Sequence, residues 1–161
     1  METIPYEVVE ATWQEVAGSS VEEMIEAQKR FIAQQPNIVE FVAALSEDLG
    51  EKVAELGIYL VHLIWRVFER AGRDPAKTVS LDQVLQAFDT RQTWLVQLAR
   101  IAKDIPEAEI EATDLKLKLT QPYLVRRVFE VFTGETDPEL SKQDRAYLCF
   151  IMLAVIDALD Q

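Results

Sequence analysis

Leu49-Gly-Glu-Lys-Val-Ala-Glu-Leu-Gly-Ile-Tyr-Leu-Val-His-Leu-Ile-Trp-Arg-Val-Phe68 decides the fold of this chain. Leu49, Val53, Leu56, Leu60, Leu63 and Val67 alternate steps of four and three, the spacing of a helical seam. Ile58, Val61, Trp65 and Phe68 form a second apolar stripe on the far side. At about 100° per residue the polar groups Glu51, Glu55, His62, Arg66 and Glu69 are squeezed into one narrow sector. A helix apolar over most of its circumference belongs at the centre of a bundle. The pattern predicts a helix over residues 47–71, capped by Ser46 and stopped by Gly72.

A second run, Ala146 to Ile156, is apolar on every side. It lies in a helix predicted over residues 141–159, opened by Ser141, and reads as the most buried element of the chain. Both central helices follow a Gln-Pro pair. Gln35-Pro36-Asn37-Ile38-Val39-Glu40-Phe41-Val42 aligns with Gln121-Pro122-Tyr123-Leu124-Val125-Arg126-Arg127-Val128 at an offset of 86, with four of eight positions identical. Leu49 aligns with Leu140 at an offset of 91, which makes the second connector five residues longer. Two readings fit. One is an internal duplication, residues 35–69 and 121–159, related by a pseudo-two-fold. The other is a resemblance imposed by function-free chemistry, since proline suits a first helical turn and valine and leucine fill cores. In this alignment the helix predicted near 81–103 has no counterpart in the first half. His62 falls opposite Leu153 and Glu55 opposite Ala146, so the polar stripe belongs to the first half alone.

Helical periodicity extends outward from these elements. Ser20 and Glu23 make a capping-box start for a helix to about Gln34, with Met24, Ala27, Phe31 and Ile32 inward. After Pro36, Ile38, Phe41, Val42 and Leu45 share a face. Ser80 and Gln83 open the helix near 81–103, whose inward face is Leu81, Val84, Leu85, Phe88, Leu95, Leu98, Ala99 and Ala102. Pro122 begins another, with Leu124, Val125, Val128, Val131 and Phe132 inward. Leu115 to Leu119 and Ile4 to Val8 alternate with period two, as strands do, but irregular or helical backbone fits both better because isolated strand pairs are marginal. The expectation is an all-α, single-domain bundle of six or seven helices over residues 1–161.

The chain has 161 residues, 49% of them hydrophobic, enough to bury a core without disulfide or metal. Its net charge of −12 is concentrated early, with seven glutamates before the first basic residue, Lys29. Such a field repels nucleic-acid phosphate and anionic lipid. The acidic start is unlike a secretory leader, and no apolar run reaches the ~18 residues that span a bilayer. Cys149 reads as a buried, reduced core thiol, which fits a cytoplasmic protein. The acidic segment 1–18 carries Val8, Val9, Trp13 and Val16, so it is expected to dock on the bundle or on a second subunit. Lys116, Lys118, Arg126 and Arg127 would seat either that segment or an acidic partner.

Candidate chemistry is sparse. One histidine and one cysteine cannot build a nitrogen–sulfur metal site, so no metal or cofactor is expected. The acidic clusters Glu22-Glu23-Glu26 and Glu135-Asp137-Glu139 lack the ligand alternation of a calcium loop. No nucleophile elbow or phosphate loop occurs. The stripe of His62 with Glu55, Arg66 and Glu69 is the one candidate binding site, set against the plainer reading that His62 packs on Trp65 or Tyr59. The expected function is non-catalytic protein–protein interaction or assembly, including a homodimer, without nucleic acid or membrane. The alternative is a regulator binding a small apolar ligand between the central helices.

Overall fold

The computed structural model describes residues 2–104, 120–133 and 140–161. Seven α-helices account for nearly all of them: α1 (Tyr6–Ala17), α2 (Val21–Gln34), α3 (Pro36–Ser46), α4 (Glu51–Arg70), α5 (Leu81–Asp104), α6 (Pro122–Thr133) and α7 (Lys142–Asp160). No strand occurs among the described residues, and the fold is an all-α bundle. Ile4 to Val8 is extended only to Pro5, after which helix begins. Leu115 to Leu119, Lys116 and Lys118 within it, and Glu135, Asp137 and Glu139 lie outside the described residues.

Local chemistry explains the helix ends. Ser80 Oγ accepts from Gln83 N at 3.1 Å while Gln83 Oε1 accepts from Ser80 N at 2.8 Å, a reciprocal capping box. Ser20 and Ser141 cap α2 and α7 through Glu23 N and Asp144 N. At the end of α4, Gly72 has φ +92 and the amides of Gly72 and Arg73 return to Glu69 O and Phe68 O, closing a Schellman turn. Ser46 does not cap the long helix: it ends α3, fully buried, and a 3₁₀ turn over Glu47–Leu49 with Gly50 at φ +98 delays α4 to Glu51.

The α4–α7 contact forms the centre, with every residue of 60–65 and 151–156 buried. Burial along the two helices coincides at the offset of 91: positions 60–70 and 151–161 run buried, intermediate and exposed in the same order. Some inward assignments need correction. Ile32, Leu81 and Leu85 are exposed, because α2 and α5 lie at the periphery and only their innermost stripe meets a neighbour. Leu148 is fully buried, but unbroken burial in α7 begins only at Ile151; Ala146 is exposed and Cys149 only half-buried.

The resemblance in packing extends beyond residues 35–69 and 121–159. The helix near 81–103 does have a counterpart, α1, at an offset of 75. Ile4, Val9, Thr12, Trp13 and Val16 fall opposite Val79, Val84, Ala87, Phe88 and Arg91, and all ten are buried. Contacts are reciprocal under the pairing of α1 with α5, α3 with α6 and α4 with α7. Helix α1 packs on α4 and α6; α5 packs on α7 and α3. Phe41 of α3 meets Phe88 of α5 at 5.6 Å between centroids, and in their places Arg127 of α6 lies 5.0 Å over Trp13 of α1. Arg66 of α4 pairs with Glu15 of α1 at 3.1 Å; opposite Arg66, Asp157 of α7 pairs with Arg91 of α5 at 2.6 Å with the charges reversed.

The two glutamines of the Gln-Pro pairs hold this exchange together. Gln35 Nε2 donates to Lys77 O at 3.0 Å and Gln35 Oε1 accepts from Val79 N at 2.9 Å. Gln121 Nε2 donates to Glu2 O at 3.0 Å and Gln121 Oε1 accepts from Ile4 N at 2.7 Å. Each buried amide thus grips the extended lead-in of the helix contributed by the other half, as an isologous interface requires. Gln121 also donates to Asp160 Oδ1 at 2.6 Å, and these bonds hold it at φ 55, unusual for a residue other than glycine.

Candidate functional site

The four residues of the polar stripe do not form one site. Three sit close together in sequence on the last turns of α4, yet in different environments. His62 is fully buried, its ring 6.0 Å from that of Trp65 at an interplanar angle of 30° and 6.0 Å from that of Phe31. Neither ring nitrogen has a hydrogen-bond partner among the described residues. Burial pushes its pKa down to about 4, helped by the nearby Arg66 and Arg30, so the ring is neutral at pH 7. No carboxylate orients it, as general-base work would require.

Arg66 and Glu69 are paired at 2.7 Å at the protein surface. Glu69 also receives Arg30 of α2 at 2.8 Å, and Glu15 of α1 receives Arg66 and Arg70. This network fastens α1 and α2 to α4. The cavity that touches Trp65, bounded by Gln34, Glu69 and Arg73, holds about 10 Å³, close to the lower limit for one water. Of the basic residues at the start of α6, Arg127 takes Glu10 at 3.0 Å together with Trp13, so the acidic N-terminal helix is docked on the bundle.

Glu55 lies two helical turns from His62 and lines a different feature: an open groove of about 980 Å³ between α2, α3 and α4. Its floor is small and apolar, with Ala43 and Ala44 from α3 and Ala54 and Ile58 from α4. Glu40 and Glu47 border it on α3, Glu51 and Glu55 on α4. All four glutamates are exposed, and none is ion-paired to a described residue. The third wall includes Gln28 of α2. One turn either side of it, Ile25 and Ile32 are about half exposed, and Val21 is 77% exposed. Val21, Ile25, Gln28 and Ile32 step by four, three and four, so they share one face of α2, the face from which Gln28 lines the groove. That face lies about a quarter turn round the helix from the buried Phe31.

Reading the sequence for chemistry missed this groove because alanines and solvated glutamates carry no catalytic signature. A signal was present in α2, which has two apolar stripes where a peripheral helix needs one. Among the described residues no group of three potential metal ligands converges, and no helix is long and apolar enough to cross a membrane. Glu22, Glu23 and Glu26 are all solvent-exposed on α2. The half-buried thiol of Cys149 is pushed up to about 12 by desolvation, so it is protonated and unreactive at neutral pH. Comparison with protein families, with curated proteins and with solved structures finds no match to this chain.

Proposed function

We propose that this protein acts without catalysis, by binding another polypeptide in the groove between α2, α3 and α4. The observation that carries the reading is the juxtaposition of a preformed apolar floor with the exposed Val21-Ile25-Ile32 stripe. Large apolar side chains grouped on a surface favour burial against a partner, at roughly 25 cal/mol per Å² of apolar area removed from water. The buried, neutral His62 and the ion-paired Arg66 and Glu69 support structural roles for those residues. A small apolar ligand between α4 and α7 is disfavoured by the full burial of the side chains that face that contact. The same exposed stripe is the surface on which a homodimer would form. A cytoplasmic setting fits the protonated lone cysteine and the absence of any need for disulfides.

The test is site-specific photocrosslinking in the native host. A photoreactive side chain at Ala43 is expected to yield a polypeptide adduct, from a partner or from a second copy of the chain. The same label at the exposed Gln92, away from the groove, should not. Adducts of small molecules alone, or equal polypeptide adducts at both positions, would overturn the reading.

A further inference from the structure

We infer that the occupant of this groove is a basic amphipathic helix of a partner protein. The inference rests on the groove being a polypeptide-binding site, and it concerns the chemistry of what enters.

Shape comes first. The groove is lined by α3 and α4 and by Gln28 of α2, and Ala43, Ala44 and Ala54 present only methyl groups, so a helix backbone can approach closely. The exposed stripe from Val21 to Ile32 is about 16 Å long at 1.5 Å per residue, which matches three turns of a docked helix. An apolar face presented at i, i+3, i+4 and i+7 is the usual content of such a groove.

Charge then selects among helices. Some acidic groups on this surface are neutralised by arginine, Glu10 by Arg127, Glu15 by Arg66 and Glu69 by Arg30, while others such as Glu7, Glu22, Asp82 and Asp89 are exposed without an ion pair to a described residue. Glu40, Glu47, Glu51 and Glu55 are also without an ion pair to a described residue, and what sets them apart is that they line one groove, interleaved on α3 and α4 with its apolar residues. A helix with lysine or arginine beside its apolar stripe would place cations against the glutamates of both α3 and α4. An acidic helix would face four like charges, and a second copy of this chain brings net charge −12. The four lining glutamates therefore favour one sign of partner and disfavour the other.

Fluorescence anisotropy with synthetic helices on the full chain separates these cases. The probes are a peptide of about 16 residues with leucines at helical spacing and lysines and arginines elsewhere, and its charge-reversed glutamate analogue. The basic peptide should bind about tenfold or more tighter at low salt, with the preference shrinking as salt rises. Glu40→Gln/Glu47→Gln/Glu55→Gln should erase that preference, and Ala44→Trp should weaken binding of the basic peptide at least tenfold, with circular dichroism confirming that each variant is folded. If the glutamate peptide binds as well as the basic one and Ala44→Trp blocks both, the charge inference is wrong while the groove still binds polypeptide. Binding of the basic peptide that ignores Ala44→Trp would place it on the acidic surface at large and remove both readings. Failure of both peptides to bind overturns the inference. Self-association of the chain abolished by Ala44→Trp does the same by identifying a second copy as occupant.

Discussion

His62 illustrates how one side chain can look functional and act as packing. It is buried between Phe31 and Trp65 with two unpaired nitrogens, where a charge would be desolvated and would also face Arg66 and Arg30. Its folded pKa lies below the ordinary 6.5, so the unfolded chain binds more protons between those values. Stability attributable to the neutral ring is therefore complete above pH 6.5 and is lost as pH falls through about 4, by up to roughly 3 kcal/mol. His62→Leu, which installs the residue present at the equivalent position 153, should flatten thermal stability across that window and raise Tm at pH 5. A Tm profile as steep as that of the unsubstituted chain would show that other groups drive the acid sensitivity. Opposite Phe41, Arg127 gives a second case at this scale: an arginine over Trp13 does the work of a phenylalanine against Phe88, because a guanidinium stacks on an aromatic face.

At the scale of elements, α1 is a full member of the bundle despite its acidic, weakly patterned sequence. Ile4, Val9, Trp13 and Val16 are buried against α4 and α6, and Glu10 and Glu15 reach arginines on those helices. Fully burying each such side chain contributes about 1.5–3 kcal/mol, so together they rival the 5–15 kcal/mol of net stability typical of a domain. Removing residues 2–17 should leave a chain without a cooperative thermal transition; a truncated chain that melted within a few degrees of the original would refute this account of α1. Helix α2 contrasts with it. Phe31 anchors it and the arginine network tethers it, while its second apolar stripe is left to solvent beside the groove. The periodicity of α2 was plain in the sequence, but which stripe would be covered depended on where α3 and α4 lay.

Across the whole molecule, two halves interlock through reciprocal grips. Gln35 holds the segment before α5 and Gln121 the segment before α1, so neither half is complete without the other. Gln35→Ala would orphan the buried Val79 amide and Gln121→Ala that of Ile4, each costing about 1–3 kcal/mol. Both variants should lower the midpoint of a single denaturation transition seen alike by tryptophan fluorescence and circular dichroism. Separate transitions by the two probes would mean that the halves unfold independently. The central helices, the caps at Ser20, Ser80 and Ser141, the stop at Gly72 and the Gln-Pro match were all legible in the chain. Each depends on residues within one or two turns of one another, and local spacing encodes them. The equivalence of α1 and α5 in packing was not legible, since Val9 and Val84 are the one identity between residues 4–16 and 79–91. That relation appears only when both helices are seen to fill equivalent positions, because packing conserves buried volume and contact partners and leaves residue identity free. The groove belongs to the same category. Its alanines, glutamates and outward isoleucines are unremarkable in order along the chain, and the convergence of three helices makes them one surface.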